Sequence, residues 1–131
     1  MNRTTVTRRS LLVLALAVPV MGGASMLHLK LARSEPTTNA VLTASPRQVK
    51  LWFTQKPELT VTSIKVKSGS GATAVERRLA PLARAAASDA PITAPVGAAL
   101  APGNYQVVWR TMARDGHVLN GVIPFVVRAA R

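Results

Sequence analysis

Alternation of apolar and polar residues dominates the chain from position 28 onward. Leu29 and Leu31 share one face of an extended segment, with His28 and Lys30 on the other. The segment reads as a first strand over residues 28–33 with His28 pointing away from the core, and Ser34-Glu35-Pro36 ends it. Val49, Leu51 and Phe53 alternate with Lys50, Trp52 and Thr54 to give a second strand, closed by Pro57. Over residues 61–67, Ile64 and Val66 oppose Lys65 and Lys67, and the glycine–serine run that follows is a turn. Residues 75–82 suit another strand, and Ala83-Arg84-Ala85-Ala86-Ala87 has the composition for a helical turn. Pro102-Gly103-Asn104 is a strong turn signal. Beyond it Tyr105, Val107 and Trp109 share a face, with Gln106, Val108 and Arg110 opposite. A last apolar run, residues 118–127, contains Asn120-Gly121 and Pro124, and a proline there predicts an edge or bulged strand.

Short strands punctuated by turns, with no helix of useful length, predict an all-β fold. The expected architecture is a Greek-key β-sandwich or barrel, Ig-like or cupredoxin-like in outline, with about seven or more short strands.

The first 24 residues have a different pattern. Arg3, Arg8 and Arg9 precede an apolar stretch over residues 11–21, and Gly22-Gly23-Ala24 places small residues at the −3 and −1 positions of a cleavage site. Residues 1–24 are therefore expected to be a signal peptide, with residues 25–131 forming a single domain. Thr7-Arg8-Arg9-Ser10-Leu11-Leu12 resembles a twin-arginine export motif. An uncleaved membrane anchor is the alternative, disfavoured because Pro19 and two glycines shorten the apolar run below the roughly 20 residues a span needs. Either route predicts a periplasmic domain.

Composition narrows the chemistry. With no cysteine in 131 residues, thiolate metal sites, dithiol redox chemistry and cysteine nucleophiles are excluded. The formal net charge is +12, of which the leader carries three arginines. The remaining cations are scattered rather than concentrated on one helix, and aromatics are few, so nucleic-acid binding is not expected. A basic surface facing anionic lipids or partners is the simpler reading. No Gly-x-Ser-x-Gly elbow surrounds any serine, and no catalytic activity is expected.

Two histidines remain, His28 and His117. Asp115 and His117 are two apart, so an extended backbone presents both on one face, where a carboxylate oxygen and an imidazole nitrogen reach one ion. Their odd numbering is also that of core-facing Val107 and Trp109. The strand must therefore end or bulge near residues 111–114, freeing Asp115-Gly116-His117 as a loop, and Gly116 permits the bend. Taken alone, Asp-x-His is as readily a pair of turn residues as a metal site.

The ordered set of motifs adds to this. His28-Leu29-Lys30-Leu31 with Ser34-Glu35-Pro36, then Ser45-Pro46 leading to Val49-x-Leu51-x-Phe53, resemble the N-terminal blocks of the CopC family of periplasmic copper-resistance proteins. The segment Leu100-Ala101-Pro102-Gly103-x-Tyr105-x-Val107-x-Trp109-Arg110, then Asp115-Gly116-His117, Gly121 and Phe125-x-Val127, resembles its C-terminal signature. The resemblance implies one Cu(II) held by His28, Asp115 and His117, and a role in copper homeostasis or resistance without catalysis. It also implies a monomer whose partners are the copper ion and an inner-membrane copper transporter. Imidazole and carboxylate donors suit a tetragonal Cu(II) site. Two departures qualify it. In the family the histidine is the first mature residue, so its amine also binds; here that requires cleavage after Leu27, a poorer site than Ala24 or Ser25. Of the methionines that serve Cu(I) in some members only Met112 and Met26 have counterparts, so no Cu(I) site is expected. The rival reading is a metal-free Ig-like interaction module that docks a membrane partner through its basic surface.

Overall fold

The computed structural model describes residues 28–69 and 71–130. The expected signal peptide and its cleavage point lie outside them. Among the described residues nine strands form two sheets, with no helix beyond a single 3-10 turn at Gly71–Thr73. The strands are β1 (Leu31–Glu35), β2 (Ala40–Leu42), β3 (Gln48–Phe53), β4 (Ser63–Ser68), β5 (Val75–Arg78), β6 (Ala83–Arg84), β7 (Ile92–Pro95), β8 (Gly103–Met112) and β9 (Val118–Val127). One sheet has the order β1-β3-β7-β6 and the other β2-β9-β8-β4-β5. The chain crosses repeatedly between them, and the result is the expected β-sandwich.

The core follows the alternation. Val49 and Leu51 of β3 and Ile92 and Ala94 of β7 face Ile64 and Val66 of β4, Val107 and Trp109 of β8, and Ile123, Phe125 and Val127 of β9. Every second residue of each strand enters one apolar layer, the arrangement that two packed sheets require. Tyr105 stacks on Phe125 with centroids 5.6 Å apart, and its hydroxyl donates to the Ala101 carbonyl at 2.6 Å, pinning the turn that starts β8. The same device closes the tyrosine corner of other sandwiches. On the outer side of β3, Arg33 lies over the half-buried Trp52 ring at 3.7 Å from its centroid.

Several local readings change. The first strand begins at Leu31 and runs through Ser34 to Glu35, where a break was expected. An irregularity between Leu31 and Arg33 shifts the register against β3, so Ser34 turns inward, and its hydroxyl is satisfied by the Pro36 carbonyl at 2.8 Å. Residues 83–84 form a short strand against β7 rather than a helical turn, because pairing with Thr93 and Ile92 satisfies the backbone. β9 lies between β8 and β2, not at an edge. Pro124 is tolerated there because β2 pairs in parallel only with residues 125–127. The Pro124 carbonyl accepts from Asn39 on that side, so the missing N–H faces the open end of β2 and removes no bond to β8.

The β8–β9 hairpin is the longest pairing among the described residues, ten residues on each strand, ending at Met112 opposite Val118. Three pairs before that end Trp109 faces Gly121, and a Cβ built on that glycine would lie 2.7 Å from the indole Cε2 and Cζ2. The indole therefore occupies the volume a side chain would need. It also meets Phe53 edge-to-face at 5.3 Å, which locks the two sheets together just behind the hairpin tip. Near the same end, Thr62 and Thr111 are buried with their hydroxyls 2.6 Å apart, and Thr62 donates to the Glu58 carbonyl at 2.6 Å. With Thr62's proton so used, Thr111 is the donor in the pair.

Candidate metal centre

The tip of this hairpin is the Asp-Gly-His motif. Ala113 N–H donates to the His117 carbonyl and Gly116 N–H to the Ala113 carbonyl, each at 2.9 Å, so residues 113–116 make a β-turn. Gly116 has φ +90°, and no atom lies within 4 Å of where its Cβ would be. Backbone conformation, not space, demands glycine here. The strand thus ends at Met112, and Asp115 and His117 leave the core-facing face as the parity argument required.

Asp115 and His117 contact each other directly. Asp115 Oδ1 accepts from the His117 backbone N–H at 3.1 Å, and Asp115 Oδ2 lies 2.9 Å from His117 Nδ1. The first bond is a local aspartate turn that fixes the loop. In a neutral imidazole the second makes Nδ1 the donor and leaves the Nε2 lone pair free, the arrangement by which carboxylates orient metal-binding histidines. The backbone N–H of His117, then its imidazole, hold the Asp115 carboxyl below its ordinary value of 3.8. The carboxylate is therefore ionised at neutral pH, although it is exposed.

His28 reaches the same place from the other sheet. Thr54, at the end of β3, holds the backbone of residues 28–30 with three bonds. Its hydroxyl donates to the His28 carbonyl at 2.9 Å and accepts from Lys30 N–H at 2.9 Å, and its own N–H donates to the Lys30 carbonyl at 2.9 Å. Leu29 is buried, so His28 turns outward. A cleft of about 430 Å³ results, bordered by His28, Asp115 and His117 together with Leu29, Leu119, Ala113, Gln55 and Arg114. All three expected donors thus line one cleft. Asp115 and His117 are already paired, whereas among the described residues no three His, Cys, Asp or Glu side chains are drawn into one ready-made cluster. With Oδ2 on Nδ1, the free Nε2 points away from the carboxylate, so a site shared by all three donors calls for the Asp115–His117 pair to open.

One contributor, Thr54, was not visible as such in the sequence, whereas Arg114, like Arg110, could be read as a surface residue or a neighbour of the ligands. Thr54 sits in the alternating pattern of β3, and its partners are 24 and 26 residues away, so no local signal marks it. Arg114 borders the cleft rather than simply facing solvent.

Fold and site together define a small β-sandwich that carries its imidazole and carboxylate groups around a cleft at one end. The chain belongs to the CopC family, whose domain model matches residues 31–128. Asp115 and His117 fall within the match and His28 just before it. Over 118 residues the chain is 27% identical to copper resistance protein C of Xanthomonas campestris pv. juglandis, covering 88% of this chain and 92% of that protein. It is 28% identical over 101 residues to protein YobA of Escherichia coli (strain K12), covering 77% and 79%. Among solved structures, CopC from Methylosinus trichosporium OB3b superposes with a TM-score of 0.67 at 27% identity, covering 79% of this chain and 97% of that one. PcoC, a methionine-rich copper resistance protein from Escherichia coli, shares the fold with a TM-score of 0.63 at 22% identity, covering 77% and 99%.

Proposed function

We infer that this chain is a periplasmic, non-catalytic Cu(II)-binding protein of copper homeostasis, with His28, Asp115 and His117 as the metal-binding residues. The observation that supports this reading is the convergence of those three side chains on one cleft, two from the hairpin tip and one from the segment before β1. These donors fit the ion. Neutral imidazole and ionised carboxylate are the ligating forms at neutral pH, and Cu(II) heads the divalent first-row affinity order for such donors. In this reading the partner is an inner-membrane copper transporter, to which the exposed Asp115 and His117 side chains would give access.

The direct test is a Cu(II) competition titration against a chromophoric chelator, using protein exported and processed in cells. Wild type should take up one equivalent, and His117→Ala, Asp115→Ala and His28→Ala should each bind more weakly. Equal binding by wild type and all three variants would remove the site. Intact mass of the exported protein supplies the mature N-terminus. A start at Ser25, the expected result, leaves His28 with its imidazole alone, whereas a start at His28 adds the terminal amine.

A further inference from the structure

The cleft is both too large and too positive for the ion and its three donors alone. Cu(II) in a tetragonal site takes four donors in its plane. With the mature start expected at Ser25, the chain supplies two imidazoles and one carboxylate. Of the remaining walls Leu29, Leu119 and Ala113 cannot ligate and Gln55 offers only a neutral amide that brings no charge to the ion, and the volume of about 430 Å³ lies in the range of small-molecule sites.

The charge balance points the same way. Among the described residues Asp115 is the single acid bordering the cleft, and it neutralises only half of a bound Cu(II). Arg114 adds a further positive charge. Although adjacent to Asp115, it makes no ion pair with it, the Asp115 contacts in the metal-free structure being to His117. Among the described residues no ion pair or hydrogen bond engages the Arg114 guanidinium. An unpaired guanidinium beside an under-coordinated divalent ion matches a carboxylate, which can accept the arginine fork and present an oxygen to the metal.

We propose that the cleft binds Cu(II) as a ternary complex with a small exogenous carboxylate, recruited by Arg114 and completing the coordination of the ion. The proposal rests on the metal site inferred above. No bond is made or broken beyond the exchange of a metal-bound water for a carboxylate oxygen.

The experiment uses the mature protein in a non-coordinating buffer. Cu(II) binding without added anion is measured first, and acetate labelled with carbon-13 in its carboxyl group is then titrated in and followed by pulsed electron paramagnetic resonance. Wild type should develop a saturable carbon-13 coupling to copper. Arg114→Ala should need at least about tenfold more acetate, the order expected on losing a charge-assisted pair of hydrogen bonds. Arg110→Ala, which removes the same charge from a residue outside the cleft, should match wild type. Copper bound with no carbon coupling, an unchanged midpoint in Arg114→Ala, or an equal loss in Arg110→Ala would each overturn the proposal and leave the metal site standing. Failure of Cu(II) to bind in the acetate-free arm would overturn both.

Discussion

Adding a single methyl group at Gly121 should destabilise the domain measurably, although glycine in a strand ordinarily costs stability. Two terms oppose each other. Gly121 has no positive φ, so alanine suits its backbone and should gain about 0.4–1 kcal/mol through the unfolded chain. Against this, the new Cβ would stand 2.7 Å from Cε2 and Cζ2 and 2.8 Å from Nε1 of Trp109. The indole cannot swing aside freely, since it is only 6% exposed and sits edge-on against Phe53. Overpacking of this kind costs about 1–3 kcal/mol, so the expected net loss is about 1–2 kcal/mol. In a domain of about 100 residues each kcal/mol lowers Tm by about 4–8 °C. Urea unfolding, with the midpoint lowered and the slope unchanged, is the appropriate assay. A Trp109→Val background provides the control: with the ring gone, Gly121→Ala should become neutral or stabilising. Neutrality of Gly121→Ala in the wild-type background would refute the argument, as would an equal loss in both backgrounds.

Other outcomes follow from the same geometry. Thr54→Val removes the hydroxyl that holds the His28 and Lys30 backbone, and should weaken Cu(II) binding about threefold to tenfold, equivalent to about 0.5–1.5 kcal/mol of positioning; faster amide exchange at Lys30 would accompany it, and unchanged affinity would count against the clasp. Thr62→Val should cost more than Thr111→Val, by about 1 kcal/mol, because it strands the Thr111 hydroxyl and the Glu58 carbonyl together, whereas Thr111→Val leaves Thr62 bonded to Glu58; chemical denaturation decides the order. Carboxyl NMR of the two aspartates, Asp89 and Asp115, should find Asp115 titrating below 3.8 in the metal-free protein. Because its leading cause is the His117 backbone N–H, which alanine keeps, His117→Ala should raise it only part of the way. A depressed carboxyl contributes stability above its ordinary value and loses it as pH falls through the depressed one, so Asp115 should produce no change in Tm between pH 5 and 8.

Strand alternation made most of the fold readable, because side-chain parity in a two-layer sandwich is imposed directly by burial. Val107 and Trp109 could be placed in the core from spacing alone, and the clash between their parity and that of Asp115 located the hairpin tip. What escaped were features set by partners distant in sequence. The irregularity after Leu31 that turns Ser34 inward depends on pairing with β3, and the parallel contact of β2 with β9 explains why Pro124 can lie in an interior strand. Residues 83–84 have helix-compatible composition, and pairing with β7 overrides it. The site divides in the same way. Asp115 and His117 are a local motif and could be read locally. His28 entered through family resemblance, and its placement depends on Thr54, which has no motif of its own.

The central claim is that copper is held by both histidines of the chain at once, and the chain has no others. Electron paramagnetic resonance of the Cu(II)-loaded mature protein, with histidine selectively labelled with nitrogen-15, counts imidazole nitrogens on the metal directly. Two are predicted in wild type, falling to one in His28→Ala and to one in His117→Ala. A wild-type spectrum with no imidazole coupling, or a count unchanged by either substitution, would contradict the account.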